Sequence, residues 1–382
     1  MQKKDLTVAI LSVSAGAGHV RAAEALRRSA EEYFPGVFAI HLDLMDMVSK
    51  PFKKLYADSY IKIVDRIPAL WGFLYEKTDK LEKEDSLLKN LRMALQRLNT
   101  SKLASTLEEL NPDHVICTHF LPAELISRMR RKGTSKILCW VQVTDFDVHS
   151  LWIHPEMAGY FAACPEVAWR MKDRGIPEKN IHVTGIPIMP AFRDKYSRAQ
   201  CAAELGVNPK KTTILLMSGG LGVGNIQLIA ERLLALPYDF QVIALAGKNQ
   251  ALLEDMQKLA SAHPGRLFPA GFTSTIERYM AISDIAVTKP GGLTSSECLA
   301  MGLPMIVISP IPGQEERNAD YLLEQGAALK AHDAAGLEFR LMELLSNPAR
   351  LEKMRKCAST CARPSAADAV LNIVLNEQNG NA

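Results

Sequence analysis

Three glycine-rich turns, each closing an apolar run, carry most of the side chains in this sequence that could do chemistry. The first is Ser14-Ala-Gly-Ala-Gly-His19. Gly16 and Gly18 let backbone N–H groups approach an anion, and the helical Val20–Phe34 that follows would add its positive end. His19 places a titratable ring at that helix start, and an imidazole of ordinary pKa, about 6.5, suits proton transfer near neutrality. The same residues also read as a plain strand-to-helix turn. A dinucleotide fingerprint would need a third glycine where Arg21 stands, so that match is weak, although Asp43 occupies the place of a ribose-binding acid.

The second turn, Met217-Ser-Gly-Gly-Leu-Gly-Val-Gly224, lacks the Lys-Ser/Thr of a nucleotide-hydrolysing P-loop. The third is Thr288-Lys-Pro-Gly-Gly-Leu-Thr-Ser-Ser-Glu297, which offers donors to phosphate and, in Glu297, an acceptor for sugar hydroxyls. Beyond the next strand lies the polar cluster Ser309-Pro-Ile-Pro-Gly-Gln-Glu-Glu-Arg-Asn318, where ligands of parallel sheets are expected. Together these loops point to a nucleotide-sized polyphosphate site in the C-terminal half. In the N-terminal half, Asp145-Phe-Asp147 puts two carboxylates at i and i+2, on one face if the segment is a strand. Such a pair suits Mg²⁺ or Mn²⁺, but a lone D-x-D so far from the nucleotide loops is not read as a metal site.

Positioning these groups requires alternating strands and helices. Apolar, β-branched runs predict strands at Thr7–Val13, Phe38–Leu42, His114–Thr118, Ile137–Val143 and Gly159–Ala162. A second set falls at Thr213–Met217, Phe240–Leu245, Arg266–Pro269, Ile285–Thr288 and Pro304–Ile308. About five strands per half give each half its own doubly wound parallel sheet. The two-proline segment Thr184–Pro190 divides the chain into residues 1–190 and 191–382. Residues 50–105 break the alternation: Leu87, Leu88, Leu91, Leu95, Leu98 and Leu103 recur at helical spacing, with Phe52, Tyr56, Tyr60, Trp71, Phe73 and Tyr75 nearby.

The 382 residues are 48% hydrophobic and 23% charged, with a net charge of +3, which excludes general disorder and argues against a nucleic-acid binder. That small charge is a cancellation. Residues 50–105 hold 12 basic and 7 acidic side chains, a net of +5, so the remainder carries −2. A basic, aromatic, amphipathic insert could lie on an anionic membrane surface, or form an ordinary helical layer over the first sheet. Seven cysteines without a C-x-x-C pair, no spanning apolar stretch and no signal-peptide pattern give the expectation of a reduced, cytosolic protein.

The third turn, followed by Pro312-Gly-Gln-Glu-Glu-Arg-Asn-Ala319, closely resembles glycosyltransferase family 28, best the monogalactosyldiacylglycerol synthases and processive diacylglycerol glucosyltransferases. Gly16-Ala-Gly-His19 with Ala22-Ala23, and Val143-Thr-Asp-Phe-Asp-Val-His-Ser-Leu-Trp-Ile-His154, are similar to that group too. The resemblance implies a GT-B fold: two Rossmann-like domains facing a cleft, acceptor in the N-terminal domain, donor in the C-terminal one, and a final helix, here Ala366–Leu375, returning to the first. It implies inverting transfer of glucose or galactose from UDP-glucose or UDP-galactose to diacylglycerol, with no metal or other cofactor.

By the same resemblance, Gly219, Gly220, Gly292, Leu293 and Thr294 would cradle the diphosphate and Glu297 would hold the ribose. Gln314 and Glu315 would hold the hexose, and Gly271-Phe272 would seat uracil. His19 or Asp145 would be the base, with His149 as neighbour. Gly16, Gly18 and His119 belong to the acceptor side, where His119 and His154 are also read as structural. A diacylglycerol acceptor implies peripheral docking on the inner face of the cell membrane through the basic insert and the loop Val148–Pro155. The alternatives are a peptidoglycan-type N-acetylglucosaminyltransferase, a sugar-nucleotide epimerase, or a UDP-sugar-binding regulator.

Overall fold

Continuous apolar runs form fully buried strands when helices cover both faces of a parallel sheet, and most of the runs above do so; Val37–Asp43 and Leu267–Ala270, at the sheet edges, are only partly buried. The computed structural model describes residues 6–14, 16–48, 53, 79, 101–217 and 226–377. In the first sheet the order is β2-β1-β3-β4-β5-β6, all parallel. Its strands are β1 (Leu6–Ser12), β2 (Val37–Asp43), β3 (His114–Cys117), β4 (Leu138–Gln142), β5 (Gly159–Ala162) and β6 (Ile181–Val183). The second sheet runs β12-β11-β10-β7-β8-β9, also parallel. It contains β7 (Thr212–Met217), β8 (Phe240–Leu245), β9 (Leu267–Ala270), β10 (Ile285–Thr288), β11 (Met305–Ile308) and β12 (Ala328–Ala331).

Each sheet thus has six strands rather than about five. The additional ones, β6 and β12, are edge strands. A half-covered edge needs no long apolar run, and His182 and Lys330 interrupt theirs. Strand order reverses between β1 and β3 in one sheet and between β7 and β10 in the other. Those reversals open crevices at the carboxyl ends of the strands, where ligands of this architecture bind.

The chain divides into two compact units, Met1–Pro190 with Ile311–Gln314 and Pro364–Ala382, and Ala191–Pro310 with Glu315–Arg363. In the first, Val8, Ile10, Leu26, Trp140 and Phe161 form a core with Val370, Leu371 and Val374 of the last helix, Ala366–Asn376. Ser29 donates a hydrogen bond to Asp368 of that helix. Trp140 lies across Gly159, its register partner: a Cβ there would come within 2.6 Å of the indole. In the second unit, Ile214, Leu216, Phe240, Val242, Val287, Ile306 and Leu341 form the core.

All seven cysteines are free, five of them buried. Among the described residues no helix is long and apolar enough to cross a membrane. Of residues 50–105, Lys53, Asp79 and the start of helix Ser101–Leu110 are described. The aromatic residues and most of the amphipathic stripe lie outside the described residues.

Candidate functional site

At the β1/β3 reversal the first glycine turn is built as an N-terminal cap. Gly16, with φ +120°, precedes the helix Ala17–Tyr33, a conformation that L side chains rarely adopt. The Ser14 N–H donates to Asp43 Oδ1 at 3.2 Å, and the Met45 N–H donates to the same oxygen at 2.9 Å. Asp43 therefore shapes the turn through Oδ1.

His19, two residues into that helix, reaches β3. Its Nδ1 stands 2.9 Å from the Thr118 carbonyl oxygen and 2.9 Å from Thr144 Oγ1. A carbonyl can only accept, so Nδ1 carries the proton and Nε2 the lone pair. Thr118 Oγ1 returns a hydrogen bond to the His19 carbonyl at 2.9 Å, and the Thr118 N–H pairs with Leu11. Burial lowers the His19 pKa to about 4, against which the Thr118 carbonyl pulls upward. The ordinary value assumed from sequence is thus replaced by a ring that is neutral throughout the physiological range.

His119 caps the helix Phe120–Arg131: its Nδ1 accepts the Leu121 N–H at 3.0 Å, so its proton lies on Nε2. The two histidines have opposite tautomers and meet edge to face, with ring centroids 4.6 Å apart. Burial drives His119 well below its usual pKa, and neighbouring His19 adds to this. Trp152, buried, lies with its ring 6.1 Å from His19 and 6.2 Å from His119. Phe120 stacks obliquely on His119 at 4.2 Å. A neutral acceptor nitrogen thus sits beside a neutral donor and an aromatic wall.

The segment after β4 is a bent loop rather than a strand, so Asp145 and Asp147 are not held on one strand face as their spacing suggested. Asp147 is buried 3.5 Å from Arg170, whereas Asp145 is half-buried and directly follows Thr144. His149 is buried and caps the 3₁₀ turn Ser150–Trp152, its Nδ1 accepting the Leu151 N–H at 3.1 Å. His154 pairs with Glu124 at 2.9 Å, and its backbone is bound at both ends by the Tyr160 hydroxyl. Among the described residues no group of three or more His, Cys, Asp or Glu side chains could hold a metal ion. Thr118, Thr144 and Trp152 complete the cluster; none belongs to a residue type that announces a site by itself.

In the second unit, β10 runs through Lys289 and Pro290 into the helix Gly292–Ala300, capped by Gly291. Gly292, Leu293 and Glu297 are buried on it, with Thr294 half-buried. Ser296 is engaged by its own helix through the Gly292 carbonyl at 2.8 Å, while the buried Ser295 hydroxyl has no partner among the described residues. Glu315, in the first turn of helix Gln314–Glu324, brings a carboxylate oxygen to 3.8 Å from where a Gly291 Cβ would stand. Gln314 opens that helix.

Phe272 follows β9 and is 63% exposed, with Lys248 Nζ 5.3 Å from its ring centroid. Beside it, a Cβ on Gly271 would come within 3.3 Å of Leu253. Gly219 and Gly220 lie outside the described residues. The start of the Gly292–Ala300 helix and the Glu315 carboxylate thus meet beyond β10, while the exposed Phe272 ring follows β9 at the sheet edge.

Residues 19–188 match the monogalactosyldiacylglycerol (MGDG) synthase family, and residues 216–370 match the glycosyltransferase family 28 C-terminal domain. A processive diacylglycerol beta-glucosyltransferase of Bacillus cereus (strain AH187) is 29% identical over 98% of this chain and 94% of its own length. Among solved structures, MurG of Acinetobacter baumannii aligns with a TM-score of 0.63 at 17% identity, over 97% of this chain and 99% of that one. The UDP-GlcNAc 2-epimerase of Neisseria meningitidis, bound to UDP-GlcNAc, aligns at 0.60 and 14% identity, over 97% and 99%. These structures share the two-domain α/β architecture of the GT-B fold.

Proposed function

The chain belongs to glycosyltransferase family 28, with an N-terminal half of the MGDG-synthase type, and we propose that this UDP-sugar-dependent glycosyltransferase builds a β-glycosyldiacylglycerol. The acceptor is diacylglycerol and the transferred group a hexose, glucose or galactose. The observation that carries the reading is the fixed tautomer of His19. The Thr118 carbonyl claims the Nδ1 proton and leaves the Nε2 lone pair as the ring's basic atom, at the crevice of the half that matches the MGDG-synthase model.

In this reaction the acceptor hydroxyl oxygen attacks the anomeric carbon as its bond to the UDP β-phosphate oxygen breaks. The hydroxyl proton passes to Nε2 of His19, and UDP leaves with the bonding electron pair, inverting the centre. The imidazolium that forms is favoured by the Thr118 carbonyl, the contact that raises the ring's proton affinity. Asp145 is the alternative base, and His149 holds the loop that carries it. Charge developing on the diphosphate is met by backbone N–H groups of Gly292, Leu293 and Thr294 at a helix N-terminus, which need no resident metal. Glu297 takes the ribose, Gln314 and Glu315 the hexose, and Phe272 the uracil.

Incubation of purified protein with labelled UDP-glucose or UDP-galactose and diacylglycerol vesicles tests the reading. A labelled glycolipid cleaved only by a β-glycosidase is the expected product. Free epimerised sugar nucleotide, or binding of UDP without transfer, would replace the proposal with an epimerase or a regulator.

A further inference from the structure

The site loop that carries Asp145, His149 and Trp152 is held by residues that neither touch the histidine pair nor belong to a recognisable motif. Helix Pro165–Asp173 and its cap present Arg170 and Arg174 one turn apart. Arg170 approaches Asp147 at 3.5 Å. Arg174 makes a two-pronged pair with Asp79: Nη1 to Oδ1 at 2.8 Å and Nη2 to Oδ2 at 3.0 Å.

Asp79 Oδ1 also accepts the Ser150 N–H at 2.9 Å, the first amide of the 3₁₀ turn that ends in Trp152. His149 satisfies the next amide, that of Leu151. The turn's opening N–H groups are thus tied by two side chains, one local and one 71 residues upstream. The pair is largely shielded, with side-chain exposures of 11% for Asp79 and 23% for Arg174. A two-pronged carboxylate–guanidinium pair of this kind fixes direction as well as distance.

We propose that Asp79 is a positioning residue for sugar transfer: anchored by Arg174, it fixes the Ser150–Trp152 turn and so holds the Trp152 ring against His19 and His119. This rests on the reading of that cluster as the transfer site. Without the carboxylate, Arg174 loses its partner and the Ser150 N–H its acceptor, and the turn can rotate away from the histidines. Asp79 comes from the insert between β2 and β3, whose composition suits a lipid surface. The same carboxylate therefore joins that insert to the site loop.

The test compares wild type with Asp79→Asn, Asp79→Glu and the exchanged pair Asp79→Arg/Arg174→Asp, each labelled with 5-fluorotryptophan and the Trp152 resonance assigned with Trp152→Phe. In Asp79→Asn we expect kcat to fall about tenfold, as small misplacements in a transfer site do. The KM for UDP-sugar should stay within about twofold, because positioning of this loop acts on chemistry rather than on donor binding. The Trp152 fluorine resonance should shift or broaden while the others hold. Asp79→Glu, which keeps a carboxylate, should recover most of kcat.

The exchanged pair keeps the ion pair but removes the acceptor for Ser150, and it should remain slow. Recovery of kcat in the exchanged pair, an unchanged Trp152 resonance in Asp79→Asn, or a rate loss that vanishes when normalised to folded protein would overturn the proposal. Absence of glycolipid from the wild type would instead sink the proposed function, while the fluorine spectrum would still decide whether Asp79 holds the loop.

Discussion

His19 and His119 are both neutral imidazoles, yet the backbone assigns them opposite tasks. The Thr118 carbonyl makes His19 an acceptor at Nε2, and the Leu121 amide makes His119 a donor at Nε2. A hydroxyl brought between such rings would be polarised in one direction. Replacing His19 by alanine should lower kcat by about 10²–10³-fold, the usual worth of a positioned base, with the KM for UDP-sugar little changed. The pH profile separates such a buried base from an ordinary exposed histidine. The active form is unprotonated, and burial takes the pKa to about 4, so kcat/KM per folded enzyme should stay level from pH 7.5 to 5.5. A fall centred near pH 6.5 would show a ring that titrates as if in water. Sequence alone singled out His19 but not its proton affinity, because neither the Thr118 carbonyl nor the burial of the ring is written in its neighbours.

The elements were legible wherever burial was uniform. Ten strands follow from apolar runs: the interior ones are covered on both faces and so must be apolar at nearly every position, while β2 and β9, at the sheet edges, keep enough apolar residues to be read. The edge strands β6 and β12 were not, since Ile181–Val183 and Ala328–Ala331 are short, only partly buried and interrupted by His182 and Lys330. The first and third glycine-rich segments were also legible as strand-to-helix turns, while the second lies outside the described residues. The use of Asp43 as a cap for Ser14 and Met45, and of Asp79 as an anchor for Ser150, was not, because those contacts depend on which strands become neighbours. Gly159 is a case where register supplies the explanation. It lies opposite Trp140 across β4 and β5, and the ring occupies the place of a side chain. Gly159→Ala should therefore destabilise the first unit by about 1–3 kcal/mol, the range for overpacking, despite the better strand propensity of alanine. A urea midpoint equal to or above that of wild type would show that the indole can move aside at no cost.

Across the whole molecule, charge is unevenly placed along the chain, and so are the titrating histidines. The net +5 of residues 50–105 would favour docking to anionic bilayers. Neutralising Lys53, Lys54, Lys62 and Arg66 should weaken vesicle binding, with a smaller effect on neutral vesicles; equal binding throughout would remove the insert from the docking role. The histidines set a limit on the pH at which such work can be done. His19, His41, His114, His119 and His182 all have pKa values lowered chiefly by burial, and all lie in the first unit. His114 in particular is fully buried, and among the described residues neither ring nitrogen has a hydrogen-bond partner. Each is bound to fewer protons folded than unfolded below its unfolded pKa of about 6.5, so stability must fall as pH drops through that value. The loss continues down to the folded pKa, about 4 for His19, and levels off below it. His19 alone should cost about 1–2 kcal/mol by pH 5. The described tryptophans, Trp140, Trp152 and Trp169, also belong to the first unit, so their emission follows this unit. Urea titrations read by tryptophan fluorescence should show a midpoint that holds from pH 8 to 7 and declines steadily from pH 6.5 to 5. Replacing His114 with glutamine should shrink that decline. A midpoint that rises or stays level over the acid range would mean that these rings keep their protons when the chain folds, and with that the neutral donor–acceptor pair at the β1/β3 crevice would be lost.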